Sequence, residues 1–173
     1  MMDFLCETSR LKLRKIENHD VEALLKILGD PEVMKFSVHG PDSTEGVHKF
    51  IEATQKRYDR DGMAQWAVIL KDSGALIGEC GISVQMIDGK KEFEIGYRFN
   101  RQYWRKGFGS EAALACRDYG FNNLNLERLI SIIEKENTAS IGVAKKVGMT
   151  LEKESTFYEI PVEIYSMKKE SSK

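Results

Sequence analysis

No block of one charge dominates this chain: 26 Lys and Arg stand against 27 Asp and Glu, for a formal net charge of -1. A protein that grips nucleic acid needs a basic face for many phosphates, so nucleic acid is not expected as a partner. The most basic stretches, Lys90-Lys91 and Arg101 to Lys106, are short. No apolar run approaches the roughly 18 residues of a membrane span. The first six residues lack the charged-then-apolar order of a secretion leader. The three cysteines, Cys6, Cys80 and Cys116, are too widely spaced for a metal pair or a disulfide framework. Their odd number and the missing leader point to a reducing, cytoplasmic setting without a membrane partner. The histidines are only His19, His39 and His48. No Ser/His/Asp motif, HExxH or Cys/His cluster is present, so neither a metal nor a covalent acyl-enzyme is expected.

What remains is ordinary in composition, 42% apolar and 31% charged. Without repeats or low-complexity linkers, 173 residues fit a single domain over 1–173 with a real core. Ser9 to Ile16 alternates, with Leu11 and Leu13 on one side and Arg10, Lys12 and Arg14 on the other, the pattern of a half-buried strand. Asn18 can cap a helix with the stripe Val21, Leu24, Leu25 and Leu28, stopped at Gly29-Asp30-Pro31. Asp42-x-x-Glu45 reads as a capping box for a second helix that ends near Asp61-Gly62.

The period then changes. Ala64 to Leu70, Leu76 to Val84 and Glu92 to Phe99 read as three strands joined by short turns. A helix with Ala112, Ala115, Cys116 and Tyr119 follows and stops near Gly120. Arg128 to Ile133 is a strand, Asn137 to Val147 a capped helix, and Thr150 to Lys153 with Val162 to Met167 a closing strand pair. The order β-α-α-β-β-β-α-β-α-β-β predicts an α/β fold with one mixed sheet and helices on both faces. Three hairpin-linked strands exclude a parallel-only dinucleotide fold. Val162 to Met167 reads as an exposed edge through which a homodimer can pair.

The richest segment is Trp104-Arg105-Lys106-Gly107-Phe108-Gly109-Ser110-Glu111-Ala112, between a strand and a helix. Glycines at i and i+2 let backbone N–H groups turn inward. The helix start adds its own unpaired N–H groups and the positive end of its dipole. Arg105 and Lys106 put charge at the lip of this phosphate cradle. A bare G-x-G is also a common strand-to-helix connection. A nucleotide-binding protein is the poorer reading, since no Lys-Ser/Thr follows the second glycine and no acidic ribose partner is placed on a parallel strand.

Taken together, several pieces resemble the GNAT superfamily of N-acetyltransferases, in the branch of the ribosomal-protein N-terminal acetyltransferases. They are Glu7-Thr8-Ser9-Arg10-Leu11-x-Leu13-Arg14, Glu94-Ile95-Gly96-Tyr97, Tyr103-Trp104, Gly107 to Ala112, Asn137-x-x-Ser140 and Lys146-x-Gly148-Met149. The resemblance runs from about Glu7 to Met167. It implies a GNAT fold with a mixed, mostly antiparallel sheet. It also implies acetyl-CoA as donor, a primary amine as acceptor (a protein N-terminus or a small molecule), and direct transfer.

By the same resemblance, the loop from Trp104 through Arg105, Lys106, Gly107 and Phe108 to Gly109 holds the coenzyme A pyrophosphate, with Ser110 at the helix start. Trp104 stands where the wider family has Gln or Arg, so the cations Arg105 and Lys106 are left to supply charge. The backbone at Tyr97, Arg98 and Phe99 forms the sheet edge for the pantetheine amides, and Gly96 fits a bulge or kink that splays this strand from the next. Asn137 bonds the pantetheine arm and can also cap its helix.

Chemistry requires an amine that has lost its proton. Glu94 and Glu92 share a strand face and are candidate bases, Glu94 favoured by its place in the signature, with water as the alternative and surface ion pairing as the bland role. The tyrosine that many family members place seven residues after the Asn is Ala144 here. By resemblance to the ribosomal-protein branch, Ser140 is the substitute that meets the leaving thiolate, its bland role being a polar residue of the first helical turn. The missing tyrosine leaves a non-catalytic acyl-CoA-binding or regulatory module as the alternative function. Phe36, Tyr58, Trp66, Tyr158 and Tyr165 are divided between core and acceptor pocket, and the patternless Asp30 to Ser43 segment is placed to shape that pocket.

Overall fold

The structure is a computed structural model that describes residues 4–171. Eight strands form one sheet: β1 (Phe4–Glu7), β2 (Leu11–Lys15), β3 (Gln65–Leu70), β4 (Leu76–Ile87), β5 (Lys90–Phe99), β6 (Arg128–Ile133), β7 (Thr150–Phe157) and β8 (Ile160–Lys168). The helices are α1 (Val21–Leu28), α2 (Thr44–Asp61), α3 (Phe108–Asn122) and α4 (Thr138–Val147), with short 3-10 turns at Asn18–Asp20 and Arg101–Tyr103. The sheet order is β1-β2-β3-β4-β5-β6-β8-β7. Every neighbouring pair is antiparallel except β5 and β6, which are parallel. The mixed, mostly antiparallel fold is the expected one.

Helices cover both faces. Leu24, Ile27 and Leu28 of α1 and Val47 and Ile51 of α2 pack on Ile16, Ala67 and Ile69. The other face buries Cys80, Ile82, Ile95, Phe99 and Leu129 against Ala112, Ala113 and Cys116 of α3 and Ala144 and Val147 of α4. Each fully buried aliphatic side chain contributes about 1.5–3 kcal/mol. The small residues of α3 let it lie close to the sheet, and the thiols of Cys80 and Cys116 come within 3.4 Å.

Several local expectations change. β1 is additional; its four residues do not alternate cleanly, and pairing with β2 through an irregularity between Phe4 and Cys6 forms it. Arg14 points inward rather than to solvent, because a bidentate pair with Asp20 at 2.8 Å and 2.8 Å meets its charge. The α2 cap is Ser43, whose hydroxyl accepts from Gly46 N–H, while Asp42 donates its N–H to Leu28. Helix α3 continues past Gly120, which serves close packing: a Cβ there would lie 2.8 Å from Ile82 Cδ1. β8 is not an edge. It lies between β6 and β7, so the edge at this end is β7, and the route to a homodimer through Val162 to Met167 is closed.

Candidate active site

The parallel step in the sheet creates the site. β4 and β5 pair continuously from Gly78↔Phe99 to Ile87↔Lys90, with Gly81 opposite Gly96. No bulge occurs at Gly96 on that side, contrary to expectation. On the other side, β5 pairs with β6 only at Glu94↔Ile130. Beyond that point the strands part, and side chains take up the backbone groups at the mouth. Ser131 Oγ donates to the Ile95 carbonyl at 3.2 Å, and the Glu94 carboxyl accepts the Ile132 N–H.

Glu94 therefore stands where β5 and β6 diverge, on the α1/α2 face. Gln85 Nε2 donates to its Oε1 at 3.3 Å. Burial, only partly opposed by Arg98 and by the Ile132 and Gln85 hydrogen bonds, pushes its carboxyl up to about 7. Such a group exchanges a proton at neutral pH, as a general base must. Glu92, the other candidate, is consumed by Arg128, which donates to both of its oxygens at 3.0 Å and 3.2 Å and also pairs with Glu152.

Arg98, two positions beyond Gly96 on the Glu94 face, uses its side chain on Glu79 at 3.2 Å and on the Ser37 hydroxyl at 3.1 Å. Glu79 is fully buried, and burial raises its pKa against the pull of Arg98. The pair ties the segment between α1 and α2 to the sheet, which gives Ser37 a place beside the site. Of the five aromatics, Trp66 and Tyr165 are core, Tyr58 hydrogen-bonds the Gln65 carbonyl, Phe36 is half-buried and Tyr158 is 70% exposed.

The glycine loop caps the C-terminal end of β5. Gly107 has φ 83° and Arg105 φ 61°, so the chain turns through the left-handed region twice before α3. Gly107 caps α3 without a side-chain acceptor. The N–H of Glu111 returns to the Gly107 carbonyl, while those of Phe108, Gly109 and Ser110 precede the first full helical turn. These donors, with exposed Arg105 and Lys106 beside them, fit a pyrophosphate. A Cβ at Gly109 would meet only Val143, Phe99 and Tyr97, at 3.8–4.0 Å. The packing does not require glycine there; the open approach does.

Two side chains that hold the loop play parts the sequence did not announce. Trp104 Nε1 donates to the Phe99 carbonyl at 2.8 Å, so the indole braces the loop and already occupies part of the β5 edge at Phe99. Arg10, just before β2, donates to the Lys106 carbonyl at 3.0 Å, pairs with Glu111 at 2.7 Å and stacks on the Phe108 ring at 4.2 Å. Glu111 also accepts from Thr8 Oγ1 at 2.6 Å. The signal for this brace was the Glu7-to-Arg14 run, whose role lay in tertiary contact.

On α4, Asn137 caps the helix: its side chain accepts the Ser140 N–H at 3.3 Å. This leaves its amide nitrogen for a ligand. The Ser140 side chain faces the hydroxyl of Tyr97. Glu94 and the Ser140–Tyr97 group thus flank the divergence from the two faces of the sheet. Among the described residues no group of His, Cys, Asp and Glu can hold a metal ion, and no helix is long and apolar enough to cross a membrane.

A family model described as an acetyltransferase (GNAT) domain matches residues 10–150. The chain belongs to the GNAT acetyltransferase family. YnaD of Bacillus subtilis (strain 168), an uncharacterized N-acetyltransferase, is 37% identical over 145 residues, 84% of this chain and 82% of its own length. The spermidine N(1)-acetyltransferase of Escherichia coli (strain K12) is 26% identical over 147 residues, 83% of this chain and 75% of its own. A GNAT-family acetyltransferase of Bacillus anthracis superposes with a TM-score of 0.79 at 31% identity, covering 94% of this chain and 96% of that one. As a GNAT acetyltransferase, the enzyme uses acetyl-CoA and transfers its acetyl group to an amine.

Proposed function

We propose that the chain transfers acetyl from acetyl-CoA directly to a primary amine, with Glu94 as general base and Ser140 as donor to the leaving sulfur. The observation that carries this reading is Glu94: a carboxyl held near neutrality at the one place where β5 and β6 part. The amine nitrogen attacks the thioester carbonyl carbon, its proton passes to Glu94, the carbon–sulfur bond breaks and sulfur keeps the electron pair. Phe108, Gly109 and Ser110 N–H groups, with Arg105 and Lys106, hold the pyrophosphate. The β5 edge at Tyr97 and Arg98 and the Asn137 amide receive the pantetheine arm, with Phe99 a weaker acceptor because Trp104 engages it.

The acceptor is a small polyamine-type amine or a protein N-terminus. The first is supported by the similarity to a spermidine acetyltransferase. The second is supported by the Glu94-to-Tyr97 and Asn137-to-Ser140 motifs, which resemble those of the ribosomal-protein branch. Two measurements test the reading. Coenzyme A should raise the melting temperature well above any effect of NAD or ATP at equal concentration. A thiol-release screen over polyamines, amino acids and short peptides with free N-termini should then show amine-dependent turnover. Equal thermal shifts from the three ligands would discard the assignment.

A further inference from the structure

The Tyr97 hydroxyl is a buried polar group without a structural occupation. Its oxygen is excluded from solvent and forms no hydrogen bond of complete geometry. Leaving such a donor unpaired is costly relative to a paired one, and an unpaired buried group calls for an explanation. Phenylalanine would fill the same space without that cost.

Its surroundings supply the explanation. Tyr97 leaves β5 three residues after Glu94 and on the opposite face. The ring lies under the first turn of α3, 4.0 Å from the position of a Cβ on Gly109, beside Phe99 with ring centroids 6.3 Å apart. The hydroxyl faces Ser140 in the first turn of α4. A pantetheine chain laid from the cradle around Gly109 toward Glu94 would run beside this ring. Ala144, one helical turn past Ser140 on the same face, is a buried methyl of the core and brings no hydroxyl to this place.

Building on the function proposed above, we propose that Tyr97 is a further catalytic residue, whose hydroxyl and that of Ser140 together hydrogen-bond the sulfur of the departing coenzyme A. The electron pair of the broken carbon–sulfur bond stays on sulfur, and the two O–H groups stabilise that charge. Tyr97 keeps its proton throughout, since burial holds its phenol well above the usual tyrosine range. The thiolate takes its proton from water after release, and the amine proton has gone to Glu94. The unpaired hydroxyl of the ligand-free chain is then a preorganised donor, aimed at a charge that appears only as the bond breaks.

Tyr97→Phe tests this without disturbing the ring. The expected kcat falls about 10-fold to 100-fold, with the KM for acetyl-CoA within about twofold. The limb of the pH profile that belongs to Glu94 stays in place. The melting temperature is unchanged or higher, because an unpaired buried hydroxyl is gone. A second readout needs no acceptor: the thiol of bound coenzyme A, followed by the ultraviolet absorbance of its thiolate, titrates about one unit higher in Tyr97→Phe, the equivalent of tenfold weaker anion stabilisation. The double variant Tyr97→Phe with Ser140→Ala loses much less than the product of the two single losses. Turnover within twofold of wild type and an unmoved thiol titration would overturn the assignment of Tyr97 alone. A fall in activity matched by a fall of several degrees in melting temperature would also overturn it, as a structural role. A wild-type protein that binds no coenzyme A would take both this assignment and the functional reading with it.

Discussion

The carboxyl of Glu94 and the hydroxyl of Tyr97 leave one strand on opposite faces, at the place where that strand loses its neighbour. A proton acceptor on one face and a hydrogen-bond donor on the other suit a reaction in which two substrates meet through the sheet. In the reaction proposed above, the amine would come from the side of α1 and α2 and the thioester from the side of α3 and α4.

The pH dependence follows from Glu94. Only its ionised form accepts a proton, so kcat/KM should rise with pH through about 7 and then level. Glu94→Gln should lose that limb and about 100-fold or more of kcat. Stability moves the other way. The folded carboxyl holds its proton above the pH at which the unfolded one releases it, so its stabilising share is complete below about 4.5 and is lost as pH rises through about 7. The Glu94→Gln melting temperature should therefore show a smaller decline over that range. An unchanged rate profile in the variant would assign the proton to water.

Gly109→Ala should separate binding from folding. Its new Cβ has only ordinary contacts within the protein, at 3.8–4.0 Å, so the melting temperature of the free protein should move by no more than a few degrees. It would protrude where the pyrophosphate must approach the helix N–H groups. The thermal shift given by coenzyme A should shrink, with affinity reduced about 10-fold or more. A full thermal shift would place the phosphates elsewhere.

Arg10→Met should weaken the loop without touching chemistry. The pair with Glu111 is partly exposed and is worth less than about 1 kcal/mol to stability. The bond to the Lys106 carbonyl, however, fixes the loop. The KM for acetyl-CoA should rise severalfold while kcat is kept. A change confined to kcat would contradict a bracing role.

Ser140→Ala should lower kcat about 10-fold to 100-fold with coenzyme A affinity retained. The Asn137 cap uses the Ser140 backbone N–H, which alanine keeps. Stability should therefore stay within about 0.5 kcal/mol. An unaltered kcat with a verified acceptor would reduce Ser140 to a residue of the first helical turn.

Local pattern carried most of the fold. The stripes of α1 and α2, the three hairpin-linked strands and the Asn137 cap all state themselves within ten residues or so. What the sequence hid depends on distant partners. Arg14 alternates like a solvent residue until Asp20 neutralises it. Gly120 looks like a helix stop until Ile82 presses against it. The divergence of β5 and β6 was anticipated, but of the bulge or kink expected at Gly96 the unbroken ladder to β4 excludes the bulge. Glu94 was legible as a candidate base. Its separation from Glu92 was not, since that rests on Arg128, 36 residues away from Glu92 in sequence. Tyr97 was legible only as backbone; nothing in a period-2 pattern says that its hydroxyl lacks a partner.

The single rung at Glu94↔Ile130 also bears on the molecule as a material. Five strands in an unbroken antiparallel series lie on one side of it, and three on the other. Side chains add to that rung, Ser131 on the Ile95 carbonyl and Arg128 on Glu92, so the sheet is two leaves held across the seam mostly by side chains and by the helices. If an amide-bearing chain lies in the seam as proposed, it would act as a detachable strand, and substrate would be a structural member of this sheet for part of every cycle.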